Sequence, residues 1–201
     1  MPLHEGVAQG APYDAIIVAA GAAGRISVQD VEERAALIGG AAVFITQLEQ
    51  PMDAAMRALQ IARAAGVRTV VDGVSYAPHG LPDFPSLGAD VYLFSAYKTY
   101  GPHQGIMVLR ETFGMELPGQ AHFFNHGTLY KRHTPAGPDH AQVAACAGMA
   151  DYVDALAAAH GISGDALSRN KGVHDLMRAQ EVAVIAPLLD YLAARNDVRL
   201  I

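Results

Sequence analysis

Asp72 closes the apolar run VRTVVD and Lys98 closes the run DVYLFSAYK, so an acid and an amine stand at the ends of two segments that read as buried strands. In an open α/β sheet the carboxyl ends of neighbouring strands share a crevice, and functional groups collect there. A carboxylate and an amine in that crevice suit pyridoxal phosphate. The lysine forms an imine with the cofactor, and the aspartate keeps the pyridine nitrogen protonated so that the ring acts as an electron sink. Desolvation or nearby positive charge makes such a lysine nucleophilic. An Asp and a Lys 26 residues apart also read as a structural salt bridge, and the spacing alone leaves both readings open.

Other chemistry-bearing residues are scattered. Nine histidines are present. His122 and His126 are four apart, but HFFNHG lacks a helix-favouring context and the intervening glutamate of a metalloprotease helix, so no metal site is expected. His79 and His103 flank the Asp72–Lys98 stretch and read as structural. Cys146 is the single cysteine, which excludes an intrachain disulfide and a multi-cysteine zinc site. Its run, AQVAACAGMADYV, has helical spacing and predicts a buried helix residue. GAAG at 21–24 reads as a turn, not a phosphate cradle. The net charge of −6 and the isolated Lys131-Arg132-His133 cluster argue against a nucleic-acid partner.

These residues need a scaffold, and 201 residues with 51% hydrophobic and 17% charged composition suffice for one substantial α/β domain. Residues 1–12 read as a loose leader. YDAIIVAAGA is a short strand, and Ser27 with Asp30 caps a helix running through VQDVEERAALIGG. AAVFITQL is a second strand. Pro51 opens a helix that Gly66 closes, and VRTVVDG follows as a third strand. ADVYLFSAYK and GIMVLR add two more. Strands alternating with helices call for a mostly parallel sheet with right-handed crossovers. Residues 111–140 read as a long ordered loop region, followed by two long helices. The Met and Leu stripes at 52–61 and 176–192 read as core. The final DVRLI reads as a strand left without a partner, as if the rest of a domain were missing. With neither a secretory start nor an apolar stretch of membrane-spanning length, a soluble, cytoplasmic protein with no membrane partner is expected.

The segment VVDGVSYAPHGLPDFPSLGADVYLFSAYKTYGPHQGIMVLR closely resembles the class V aminotransferase and cysteine desulfurase family. The acid strand, the following turn, the strand ending S-x-[HY]-K and the x-[YF]-G-P run share that family's order and spacing. The resemblance continues through GQAHFFNHGTLYKRHTPAGPDHAQVAACAGMADYVDAL and, more weakly, to residue 201. It implies a partial large domain of the fold type I pyridoxal-phosphate transferases, an amino-acid substrate and a homo-oligomer. It makes Lys98 the imine lysine, Asp72 the pyridinium partner and Ser95 a phosphate ligand. Tyr97 stands where many relatives have a phosphate-binding histidine. Ser75 stands where they have glutamine or histidine near the phenolic oxygen. The resemblance also implies that Thr134, or a neighbour in TPAGPD, reaches a partner subunit's phosphate.

Upstream, AIIVAAGAAGRISVQDVEERAALIGGAAVFITQLEQPMDAAMRALQIARAAGVRTVV resembles the ribokinase-like sugar kinases, which would make Glu49 a sugar contact. The kinase G-A-G-D anion hole and catalytic aspartate are absent. The combined expectation is a chimera: a kinase-like piece over 13–70, a cofactor-lysine core over 67–170, and the start of a truncated small domain over 171–201. An inactive fragment and a sugar-kinase remnant stand as alternative functions.

Overall fold

A computed structural model of the chain describes residues 25–134 and 137–199, together with the backbone of a strand at 15–18. The leader and the GAAG turn expected at 1–12 and 21–24 lie outside the described residues. The strands are β1 (Ala15–Val18), β2 (Val43–Gln47), β3 (Arg68–Asp72), β4 (Val91–Ser95) and β5 (Gly105–Leu109). They form one sheet in chain order, parallel from β1 to β4, with β5 antiparallel to β4. This is the expected α/β, mostly parallel sheet. Every strand from β2 to β4 carries the β-branched and aromatic residues that suit a pleated, covered surface.

Because strand order follows chain order, right-handed crossovers bring the connecting helices to one face. These are α1 (Val28–Glu32), α2 (Ala35–Gly39), α3 (Met52–Ala64) and α4 (Phe84–Leu87). The core forms between them and the sheet: Ala54, Ala58, Leu59 and Ala62 of α3 meet Phe44, Val71, Tyr92 and Phe94. Small alanines on α3 let the helix approach the sheet closely. The alternate residues Val43, Ile45, Val70 and Leu93 are only half-buried, and Met107 is exposed.

Local signals account for most boundaries. Ser27 and Asp30 form a reciprocal capping box at α1. The expected single helix over VQDVEERAALIGG is two, because Arg34 at φ −112° leaves the helical region between α1 and α2. Asp53 and Arg63 sit at the ends of α3 that the helix dipole favours, and Gly66 at φ +75° ends it. Met52 is exposed while Leu59 is buried, so the 52–61 stripe is core only in part.

The second half departs further from expectation. The 111–140 stretch contains α5 (Glu111–Glu116) and α6 (Leu129–Arg132). The next helix is two, α7 (His140–Ala145) and α8 (Ala147–Ala159), meeting at a half-buried Cys146, which is therefore not a core residue. The last, α9 (Ala166–Ala193), packs its first half on α8, where Ala157 and Val173 are fully buried. Its second half is not core: every residue from Arg178 to Tyr191 is exposed. Of the strand expected over DVRLI at 197–201, residues 197–199 form a turn and coil, and residues 200 and 201 lie outside the described residues.

Candidate active site

β3 and β4 are neighbours, with Asp72 opposite Leu93, so the chain leaves both strands at the same sheet edge. After β3 it turns at once. Gly73 N donates to Leu93 O at 2.8 Å, while Gly73 O accepts from Tyr76 N and Ala77 N. The turn needs glycine: a Cβ at position 73 would stand 2.2 Å from the Tyr92 hydroxyl. That hydroxyl is buried without a hydrogen-bond partner, and burial pushes its ionisation far above the ordinary phenol range.

Asp72 is half-buried at the start of this turn. Its Oδ1 accepts from Val74 N at 2.9 Å, which fixes the carboxylate in a local Asx-type bond. Its Oδ2 lies 3.5 Å from Gln47 Nε2, directly across the β2–β3 register. Gln47 is a site residue that the sequence reading did not single out. Its Oε1 is buried and unpaired, a state that polar groups in folded interiors rarely keep. The signal was available: Gln47 ends a buried strand beside the acid strand, the same logic that selected Asp72.

After β4 the chain enters a single 3₁₀ turn, Ala96–Lys98. Ala96 O accepts from both Thr99 N and Gly101 N at 2.8 Å, and the Thr99 hydroxyl donates to Ser95 O at 2.9 Å. This winding sets Lys98 on the outside of the turn, exposed, with Nζ 3.5 Å from Ser75 Oγ. Tyr97, 49% exposed, stacks on His103 with ring centroids 4.8 Å apart. Two residues past the lysine, Tyr100 takes φ +63°, a left-handed conformation rare for an aromatic residue. Its ring meets Tyr152 of α8 at 5.1 Å, its hydroxyl lies 3.5 Å from Met177 Sδ of α9, and burial raises its ionisation.

Asp72, Ser75, Ser95, Tyr97 and Lys98 thus gather at one edge, joined by Gln47. Thr134 lies elsewhere, at the end of α6, where its hydroxyl donates to Tyr130 O at 2.6 Å. His79 pairs with Glu181 of α9 at 3.6 Å, and His103 serves as the Tyr97 stacking partner. His122 stacks on Phe124 and His126 meets Ala121 O, so each faces a local partner. Among the described residues no three His, Cys, Asp or Glu side chains are grouped to hold a metal. Nor is any helix among them long and apolar enough to cross a membrane.

Comparison with known proteins bears on this edge. Residues 22–132, more than half of the chain, match the family described as Aminotransferase class-V. A 60-residue segment is 47% identical to the aminotransferase-like protein FGM3 of Gibberella zeae, covering 30% of this chain and 15% of that one. A 51-residue segment is 51% identical to a probable cysteine desulfurase of Pseudomonas aeruginosa, covering 25% of this chain and 12% of the relative. The fold resembles the cysteine desulfurase CsdA of Escherichia coli, with a TM-score of 0.54 at 19% identity over 69% of this chain and 37% of that one. It also resembles pyridoxamine-pyruvate aminotransferase of Mesorhizobium loti, with a TM-score of 0.50 at 15% identity over 72% of this chain and 39% of that one. The chain therefore spans well under half of the proteins it resembles. The family match covers residues 22–132 and so spans ARAAGVRTVVDG at 62–73, where a join between two families was expected, and nothing shows a kinase-like segment. Glu49, exposed beyond β2, accordingly keeps no sugar-binding assignment.

Proposed function

The chain belongs to the class V aminotransferase family, and from that premise we propose that it binds pyridoxal phosphate through Lys98 and acts on a small amino-acid substrate. The observation that carries this reading is the meeting of two adjacent strand ends. Asp72 is locked by Val74 N at the end of β3, and Lys98 reaches back to Ser75 over that same turn.

The residues present fit the cofactor. The unpaired Gln47 Oε1 beside Asp72 marks an edge whose polar groups are not all satisfied from within the chain. Asp72 would hold a proton on the pyridine nitrogen of the bound cofactor, with Gln47 and Ser75 as the polar residues nearest to Asp72 and Lys98. Ser95 and Tyr97 offer hydroxyls to the phosphate, and Thr134 offers one to the phosphate of a second copy. Bound there, pyridoxal phosphate supplies the electron sink that stabilises negative charge at the substrate α-carbon. Lys98 Nζ, on a short turn with its amine exposed, takes and returns a proton at that carbon.

A titration with pyridoxal phosphate tests this. An absorption band near the visible edge is expected for the wild type and lost in Lys98→Ala. No band in the wild type overturns the proposal. The exposure of Lys98 and Tyr97 favours a second reading, a cofactor-binding chain without turnover, because an open edge does not exclude water. Product formation from a panel of amino acids, measured on the loaded protein, separates the two.

A further inference from the structure

One face of α9 meets both turns of the candidate site. Asn170, His174, Met177 and Glu181 follow one another by four, three and four residues, the spacing that lines up side chains on one side of a helix. At one end Asn170 Nδ2 donates to Leu81 O at 3.4 Å. At the other, Glu181 Oε1 lies 3.6 Å from His79 Nδ1, an ion pair when the imidazole is protonated. Between them the Tyr100 hydroxyl donates to Met177 Sδ at 3.5 Å. His79 ends the 3₁₀ turn Ala77–His79, whose first N–H donates to Gly73 O, so it continues the turn that carries Ser75. Tyr100 stands two residues past Lys98, at φ +63°. One helix therefore touches the acid's turn and the amine's turn through residues four apart. Burial first, then Tyr152 and the Glu181 carboxylate, raise the Tyr100 ionisation, so Glu181 is felt at the lysine's turn as well.

We propose, taking Lys98 as the cofactor lysine, that Met177 and Glu181 are positioning residues for the pyridoxal phosphate site. Through Tyr100 and His79 they hold the Lys98 turn and the Ser75 turn at one separation. The direct tie between the turns, Lys98 Nζ to Ser75 Oγ, is long at 3.5 Å, and it is given up when the lysine engages a cofactor. The α9 contacts do not use the lysine and persist. They also matter more because the seat is polar and loosely filled. A small cavity lined by Pro78, His79, His174 and Arg178 remains there, and the buried His174 Nε2 has no partner. With few apolar contacts, local opening is easy unless point contacts oppose it. A binding constellation keeps its geometry only when such supporting contacts lock it.

Amide hydrogen exchange without cofactor, together with absorbance titration by pyridoxal phosphate, tests this. Met177→Ala is expected to speed exchange about fivefold at Thr99 and Gly101, whose N–H groups donate to Ala96 O. Glu181→Gln removes a more exposed pair and speeds exchange about threefold at Tyr76 and Ala77, whose N–H groups donate to Gly73 O. Amides within β2 and β3 keep their rates. The pyridoxal phosphate dissociation constant rises by about the same factors, and the position of the absorption band stays put because Lys98 is intact. Each effect passes through one contact, so Met177→Ala adds less than about 1.5-fold to Tyr100→Ala, as does Glu181→Gln to His79→Gln. Val184→Ala and Leu188→Ala, on the exposed half of the same helix, leave the constant unchanged. Exchange unmoved in both turns, additive double variants, or equal losses in the Val184 and Leu188 variants overturn the proposal. No band in the wild type overturns the cofactor reading and the proposal with it, whereas a normal band with unmoved exchange overturns the α9 contacts alone.

Discussion

Gln47 and Asp72 stand opposite one another at the carboxyl ends of β2 and β3, with the amide Nε2 3.5 Å from the carboxylate Oδ2 and the amide Oε1 buried without a partner. The carboxylate thus has a neutral donor at one oxygen and a backbone N–H at the other, and the amide keeps unused acceptor capacity. If the proposed function holds, Gln47→Ala removes a polar neighbour of Asp72 from the cofactor site. Its pyridoxal phosphate dissociation constant is expected to rise about five- to tenfold, the effect of one net hydrogen bond. Absorbance titration measures it; an unchanged constant would remove Gln47 from the site.

Gly73 and Tyr92 make the second test. A Cβ at position 73 would stand 2.2–2.4 Å from three atoms of the buried Tyr92 ring and hydroxyl, so Gly73→Ala forces the turn or the ring to move. The cost is on the order of 1–3 kcal/mol, as for other overpacked sites. Tyr92→Phe deletes a buried hydroxyl that has no partner and is expected to be neutral or stabilising by up to about 1 kcal/mol. Urea melts of the two variants check both signs; a destabilised Tyr92→Phe contradicts the orphan hydroxyl.

Tyr100 separates backbone from side chain. At φ +63° a non-glycine residue sits in the left-handed region, at a cost of about 1–2 kcal/mol. Tyr100→Ala loses the contacts to Tyr152 and Met177 and keeps the strained backbone. Tyr100→Gly loses the same contacts and relieves the backbone. The glycine variant is therefore expected to be more stable than the alanine variant by about 1 kcal/mol. Thermal melts give the order, and alanine above glycine would contradict a left-handed Tyr100.

Acid and alkali destabilise from opposite causes. The Ser27 hydroxyl holds Asp30 below its ordinary value of 3.8, the Gln142 N–H does so for Asp139, and Arg169 does so for Asp154. A depressed folded value means that the stabilisation is present above pH 3.8 and lost as pH falls through the folded value. Burial raises Tyr92 and Tyr100 above 10.0, so their contribution is present below pH 10 and lost as pH rises toward the folded value. Melting temperature against pH should fall at both ends. In Tyr92→Phe the alkaline fall should shrink; an identical alkaline limb would exclude Tyr92 as a cause.

Much of the first half was legible along the chain. Ser27 with Asp30, Pro51 and Gly66 are local devices whose effect depends on a few neighbouring residues, and they mark real boundaries. The apolar run in VRTVVD and the one before SAYK located the strand ends that carry Asp72 and Lys98. Gln47 was legible only as a polar residue ending a strand next to the acid strand; that it meets Asp72 and keeps an unpaired Oε1 comes from the β2–β3 register and from packing. The exposed half of α9 was misread as core for a related reason: an apolar stripe states that a surface wants cover, not that this chain supplies it.

The sequence by itself determined the family, the strand–helix order and the acid–amine pair, since each rests on residue type, spacing and local backbone preference. Only the tertiary structure decided that Asp72 faces Gln47, that Lys98 sits exposed on a turn reaching Ser75, and that Tyr100 is held left-handed between α8 and α9. Those relationships depend on which distant segments share a sheet edge or a packed face. Strand register and helix docking settle that through the burial of the whole core, which no local spacing encodes.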